Sequence, residues 1–169
     1  MKRLLTALLT LCAAPALAQE NPAMSSVAGV YTPVRAYVVA AAEQMPEADY
    51  GFKPTPEVRS FGQLIGHIAN AQFMICALAL GETSPATQNY EQVTAKAALI
   101  EALQASNALC DRAYAQSDQA AMQVGNLFGQ QRTRLGMLAL NAAHDFEHYG
   151  NIVTYMRLKG MVPPSSQGN

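Results

Sequence analysis

Apolar residues recur three and four positions apart along most of this chain, and no segment of comparable length alternates as a strand would. Val27, Val30, Tyr31, Val34, Val38 and Ala41 keep core spacing and predict a first helix that ends near Met45, just before Pro46. Pro33 either kinks that helix or opens its main body, with Thr32 as the cap. A second helix starts at the cap Ser60 and runs to about Leu80, with Phe61, Leu64, Ile65, Ile68 and Ile75 as its stripe and Gly81 as its stop. A third spans roughly Ala95 to Gln116 and a fourth roughly Thr133 to Lys159, ended by Gly160. Turn chemistry fills Asp49–Pro56 and Gly160–Asn169. The expected fold is all-α, a four-helix bundle.

Connection lengths constrain its topology. The 14 residues from Gly81 to Thr94 exceed the usual two to eight of a helical hairpin. Extended, they reach roughly 45 Å, more than the roughly 30 Å of a twenty-residue helix. Such a crossover can return the chain to its starting end and leave helices two and three parallel.

Composition fits one ordinary domain, with 50% apolar and 14% charged residues in 169. Its formal charge of -1 provides no basic field for a nucleic-acid backbone. The first 18 residues read differently. Lys2 and Arg3, the apolar stretch Leu4–Ala14 and Ala16-Leu17-Ala18 make a secretory signal peptide cleaved before Gln19. The expected organisation is residues 1–18 as signal and 19–169 as one helical domain, periplasmic or secreted. Cleavage leaves 9 basic against 12 acidic side chains, a charge of -3, because Lys2 and Arg3 are lost. Leu11 precedes Cys12 where a lipoprotein site wants a small residue, so no membrane anchor is expected, and no later segment reads as a membrane span.

The histidines carry the candidate chemistry. His144 and His148 stand four apart in the fourth helix, about 40° around its axis, so both rings leave one face and can converge on one ion. Met137, Leu140 and Tyr155 share that face and turn it inward. His67 lies at the edge of the second helix's apolar stripe, in line with Leu64, Ala71 and Leu78. Three buried imidazoles without partners would be costly, whereas one divalent ion satisfies them and keeps a position open for water or substrate. The alternative is a hydrogen-bonded core or rim histidine at 67 and a chance pair at 144 and 148.

His144 to His148 also match H-x-x-E-H, with Glu147 in the general-base position of a metalloprotease motif. That class takes its third ligand well downstream, and only 21 residues follow His148. Glu147 stays the one catalytic candidate, about 60° around the helix from His144. Tyr149, Asn151, Tyr155 and Arg157 cluster around the histidines and could bind a substrate's polar groups, but read first as helix-packing tyrosines and a snorkelling arginine. Cys76 and Cys110 fall about sixteen and fifteen residues into helices two and three. Parallel helices would place them at similar heights, so a disulfide is expected in an oxidising compartment, against two buried free thiols.

Two blocks, MPEADYGFKPTPEVRSFGQLIGH (45–67) and HDFEHYGNIVTYMRLKGMVPPSS (144–166), resemble the DinB/YfiT-like proteins, especially exported ones. The likeness covers most of the mature chain and is weak from Gly81 to Thr133. It implies a four-helix bundle with a long crossover between helices two and three, and a divalent metal on His67, His144 and His148. Zinc or nickel leads, with iron, cobalt, copper or manganese also acceptable to such a site. The activities it implies are hydrolysis or thiol-dependent transfer to a small molecule, and an export signal weighs against transfer because low-molecular-weight thiols are cytosolic reductants. A non-catalytic metal- or ligand-binding module is the alternative. The implied partner is an unidentified small molecule, and both monomer and homodimer are open.

Overall fold

The computed structural model describes residues 21–168, so the signal-peptide reading lies outside the described residues. Five α-helices follow in order, α1 (Pro22–Gln44), α2 (Phe61–Leu80), α3 (Lys96–Tyr114), a single turn α4 (Asp118–Ala121) and α5 (Arg134–Leu158). The long ones are the four expected helices. A two-stranded antiparallel hairpin, β1 (Val124–Leu127) with β2 (Gln130–Thr133), precedes α5 and was not expected.

Local sequence fixes the helix ends. Ser60 and Gln63 form a reciprocal capping box on α2, and Gly81 closes it in the left-handed conformation at φ 76°. Thr133 caps α5 by accepting from the Gly136 amide at 3.1 Å. Of the two readings of Pro33, the one with Thr32 as a helix cap needs correction. Pro33 lies inside a continuous helix, and the Thr32 hydroxyl bonds the Ala28 carbonyl instead of capping. The bond that Pro33 removes would have gone to Gly29, whose exposed carbonyl water can satisfy. The amides of Ala23 and Met24 are instead capped at a distance by the Asp118 carboxylate, at 3.0 and 2.9 Å. Val30, expected in the core, is 50% exposed, and Met24 takes the buried place.

Side-chain register gives the topology. Gly62 meets Leu99, Gln72 meets Ser106, Cys76 is bonded to Cys110 and Gln116 reaches the Ala79 carbonyl, so α2 and α3 run parallel. Arg59 meets Tyr155 and Gln72 meets Asp145, so α5 runs antiparallel to α2. Arg35 meets Asp111 and Lys96 reaches the Glu43 carbonyl, so α1 is antiparallel to α3. The crossover between α2 and α3 is therefore the long connection that parallel neighbours require.

By length and composition alone, α2 could cross a membrane, a departure from the expectation that no segment after the signal could. Within the bundle 67% of its most apolar window is buried, which makes it the core helix. Two apolar clusters, one around Ile75, Leu109 and Leu138 and one around Ile65, Leu99 and Ile152, fill the interior. Between them lie the buried polar side chains Gln72, Ser106, Asn141 and Asp145. Ser106 donates to Gln72 at 2.6 Å, and Gln72 donates to Asp145 at 2.9 Å. This polar layer runs outward to His144.

Candidate metal centre

Helix periodicity brings His144 and His148 together, and the antiparallel packing of α2 delivers His67 to them. The His144 Nε2 lies 3.1 Å from that of His67 and 3.0 Å from that of His148. A tetrahedral ion with bonds of about 2.0–2.1 Å holds its ligand nitrogens roughly 3.3 Å apart, close to these two separations, and all three ligand nitrogens lie within 4.8 Å of one another. His148 is 7% exposed, while the His67 and His144 side chains keep 23% and 20%. The site is therefore at the rim of the bundle, where solvent reaches it, in keeping with the open position expected for water or substrate.

Electrostatics favour an ion further. A neutral imidazole carries one N–H, so a ring that donates through Nδ1 presents a lone pair at Nε2. His67 Nδ1 lies 2.6 Å from Glu91 Oε1, which sets that orientation. Arg59 donates to the other oxygen of Glu91 at 2.9 Å. Burial works against the Glu91 charge, but the bonds from Arg59 and His67 outweigh it and hold the carboxyl below its ordinary range. His144 Nδ1 is buried without a hydrogen-bond partner, and so is Asp145 Oδ1, 3.8 Å away. The two are a complementary donor and acceptor when Nδ1 carries the proton and Nε2 is left for a ligand. Burial pushes the Asp145 carboxyl up, against the lowering influence of His144 and Gln72.

Glu91 and Asp145 were not foreseen. Glu91 sits on a single 3-10 turn, Tyr90–Gln92, in the crossover. That turn can press on α2 only because residue 66 is glycine, since a Cβ there would lie 2.8 Å from the Glu91 nitrogen and closer still to the Tyr90 carbonyl. Gly66 thus sets Glu91 against the next residue, His67. In Glu91→Ala the affinity for a divalent ion is expected to fall about 10- to 100-fold, as for other outer partners of ligating histidines. Competition with a chromogenic chelator measures it, and an unchanged affinity would contradict this role.

Burial, with the neighbouring His144 and His67 rings, depresses His148 from 6.5 to about 4. The free imidazole is protonated below about 6.5. Metal-free protein at pH 5 should therefore still hold His148 neutral and ready to ligate, and its ring should titrate near pH 4 by nitrogen-15 NMR. A midpoint near 6.5 would refute this.

Glu147 is exposed, and it lines a cavity of about 700 Å³ together with His148, Asn151, Arg59 and Lys53. The third imidazole comes from upstream, on α2, which departs from the protease arrangement. Tyr149 and Tyr155 are packing residues, as expected, with hydroxyls bonded to Ser165 and to the Arg59 carbonyl. Arg157 is exposed.

Comparison with known proteins agrees with this architecture. The DinB superfamily model matches residues 31–152. A DinB-like protein from Bacillus cereus superposes with a TM-score of 0.72 at 16% identity, over 83% of this chain and 95% of that one. A second, the DinB-like protein YjoA from Bacillus subtilis, gives 0.62 at 19% identity, over 81% and 93%. At such identities the two structures speak for the fold alone. No curated protein matches the sequence. With the family model spanning most of the bundle and all three histidines, the chain belongs to the DinB superfamily, whose members bind metal.

Proposed function

We propose that this protein is an exported, metal-dependent hydrolase of a small molecule, with zinc or nickel held by His67, His144 and His148. The observation that carries the reading is three convergent imidazole nitrogens at a rim that opens onto cavities, since three protein ligands with an accessible fourth position are the catalytic rather than the structural arrangement. When bound, the ion supplies Lewis-acid activation of water and of the substrate oxygen. Glu91 keeps the His67 lone pair aimed at the site. Glu147, in the cavity beside His148, takes the proton that water gives up as it attacks and returns it to the leaving group as the scissile bond breaks. The disulfide and the signal-like N-terminus support an oxidising compartment outside the cytosol.

The test is a panel of ester, amide and phosphoester substrates offered to protein loaded with each metal. In Glu147→Gln, turnover should drop by roughly 10²–10⁴-fold while metal content stays the same. Tight metal binding with no turnover across the panel would instead make the chain a binding module.

A further inference from the structure

The three imidazoles stand between two cavities of opposite character. On one side, His148 shares the larger cavity with Lys53, Glu57, Arg59, Glu147 and Asn151, a surface of mixed charge. On the other, His67 and His144 share a mainly apolar cavity of about 500 Å³ with Ala71, Met74, Ile75, Leu140 and Phe128, and with Asn70 and Asn89, which hydrogen-bond each other. Glu91 borders both. A molecule whose middle sits at the imidazoles therefore meets ions at one end and hydrocarbon at the other.

Phe128 is the unusual member of the apolar side. It is 69% exposed at the tip of the β1–β2 hairpin, in a two-residue turn where it has φ 53° and Gly129 has φ 78°. Both central residues are left-handed, as in the turn type that prefers Asn-Gly. A phenylalanine here bears a backbone cost and a solvation cost at one position, and packing does not repay them because the ring is mostly in water. Leu127, 1% exposed, anchors the hairpin against the bundle and so fixes where the Phe128 ring stands.

Resting on the reading of the trio as an open metal centre, we propose that the substrate is an amphiphile. Its alkyl or aryl group fills the cavity of Met74, Ile75 and Leu140 beneath Phe128. Its metal-ligating group lies at the imidazoles, and its polar end lies among Lys53, Glu57, Arg59 and Asn151. Phe128 is a specificity-determining residue that covers the chain of a bound ligand and gains there the burial it lacks in the free protein.

The probe is a series of alkyl hydroxamates, which ligate metal through a constant head group. Zinc-loaded protein is titrated with acetohydroxamate and octanohydroxamate by calorimetry. Each methylene that leaves water tightens binding about fourfold, so partial burial of the longer chain should give it at least a tenfold advantage. In Phe128→Asn, which suits the left-handed turn and lies on the surface, and in Met74→Asn, that ratio should collapse towards one. Equal affinities of the two hydroxamates in the wild type would overturn the proposal while leaving the metal centre intact. A tenfold advantage that survives both substitutions would overturn the assignment to this cavity. Zinc-loaded protein that binds neither compound would overturn the open metal centre, and the amphiphile with it.

Discussion

His144→Ala is expected to lose bound metal while keeping the bundle. His144 Nε2 lies about 3 Å from the Nε2 atoms of both others, so its removal leaves two imidazoles where three would hold the ion. Losing an outer partner of a ligand costs about 10- to 100-fold in affinity, and losing the ligand itself should cost more than about 100-fold. The helices persist because their burial does not depend on the ion. Leu138, Ala142 and Ile152 pack α5 into the core independently of the His144 ring. Metal content after dialysis and the far-ultraviolet spectrum should therefore separate, the first falling to background and the second unchanged. Retention of one ion per chain in this variant would contradict the assignment.

Removal of the Cys76–Cys110 disulfide should have the largest effect on stability. The bridge joins parallel α2 and α3 with Cα atoms 5.1 Å apart and closes a loop of sequence separation 34 that contains the whole crossover. Both cysteines are fully buried. The loop-closure argument gives about 2–4 kcal/mol, which for a chain of this size lowers the melting temperature by roughly 5–15 °C. The double variant Cys76→Ala, Cys110→Ala should show that loss, and reductant should have no further effect on it. Two alkylatable thiols in denatured, unreduced wild-type protein would show that the bridge does not form. Because the crossover carries Glu91, the same variant should also bind metal less tightly.

Features written as helical periodicity were legible in the sequence. The stripe of Phe61, Leu64, Ile65, Ile68 and Ile75 is buried as read, and the i, i+4 spacing of His144 and His148 puts both rings at one site. The length of the crossover gave the parallel run of α2 and α3, and from that the height of the two cysteines. What escaped depends on approach between distant segments. Glu91 reaches His67 only through the close pass allowed by Gly66, and nothing in the spacing of 24 residues signals it. Asp145 stands beside His144 in sequence, yet it is buried and bonded to Gln72 on α2, 73 residues away. The hairpin was hidden because each strand has four residues, only Leu127 is buried, and Phe-Gly replaces the usual turn pair. Of the two readings of Pro33, a kink or a helix start capped by Thr32, the cap is excluded because α1 continues through Pro33, where the Gly29 carbonyl left without its helical donor is on an exposed residue that water can reach.

The central claim is that one divalent ion sits on three imidazoles from α2 and α5. The most direct measurement is an anomalous difference map from crystals of wild-type protein loaded with zinc, recorded on both sides of the metal's absorption edge. One peak per chain is expected, about 2.0–2.1 Å from the Nε2 atoms of His67, His144 and His148. A peak held by other residues, or no peak at these three rings in zinc-loaded crystals, would contradict it.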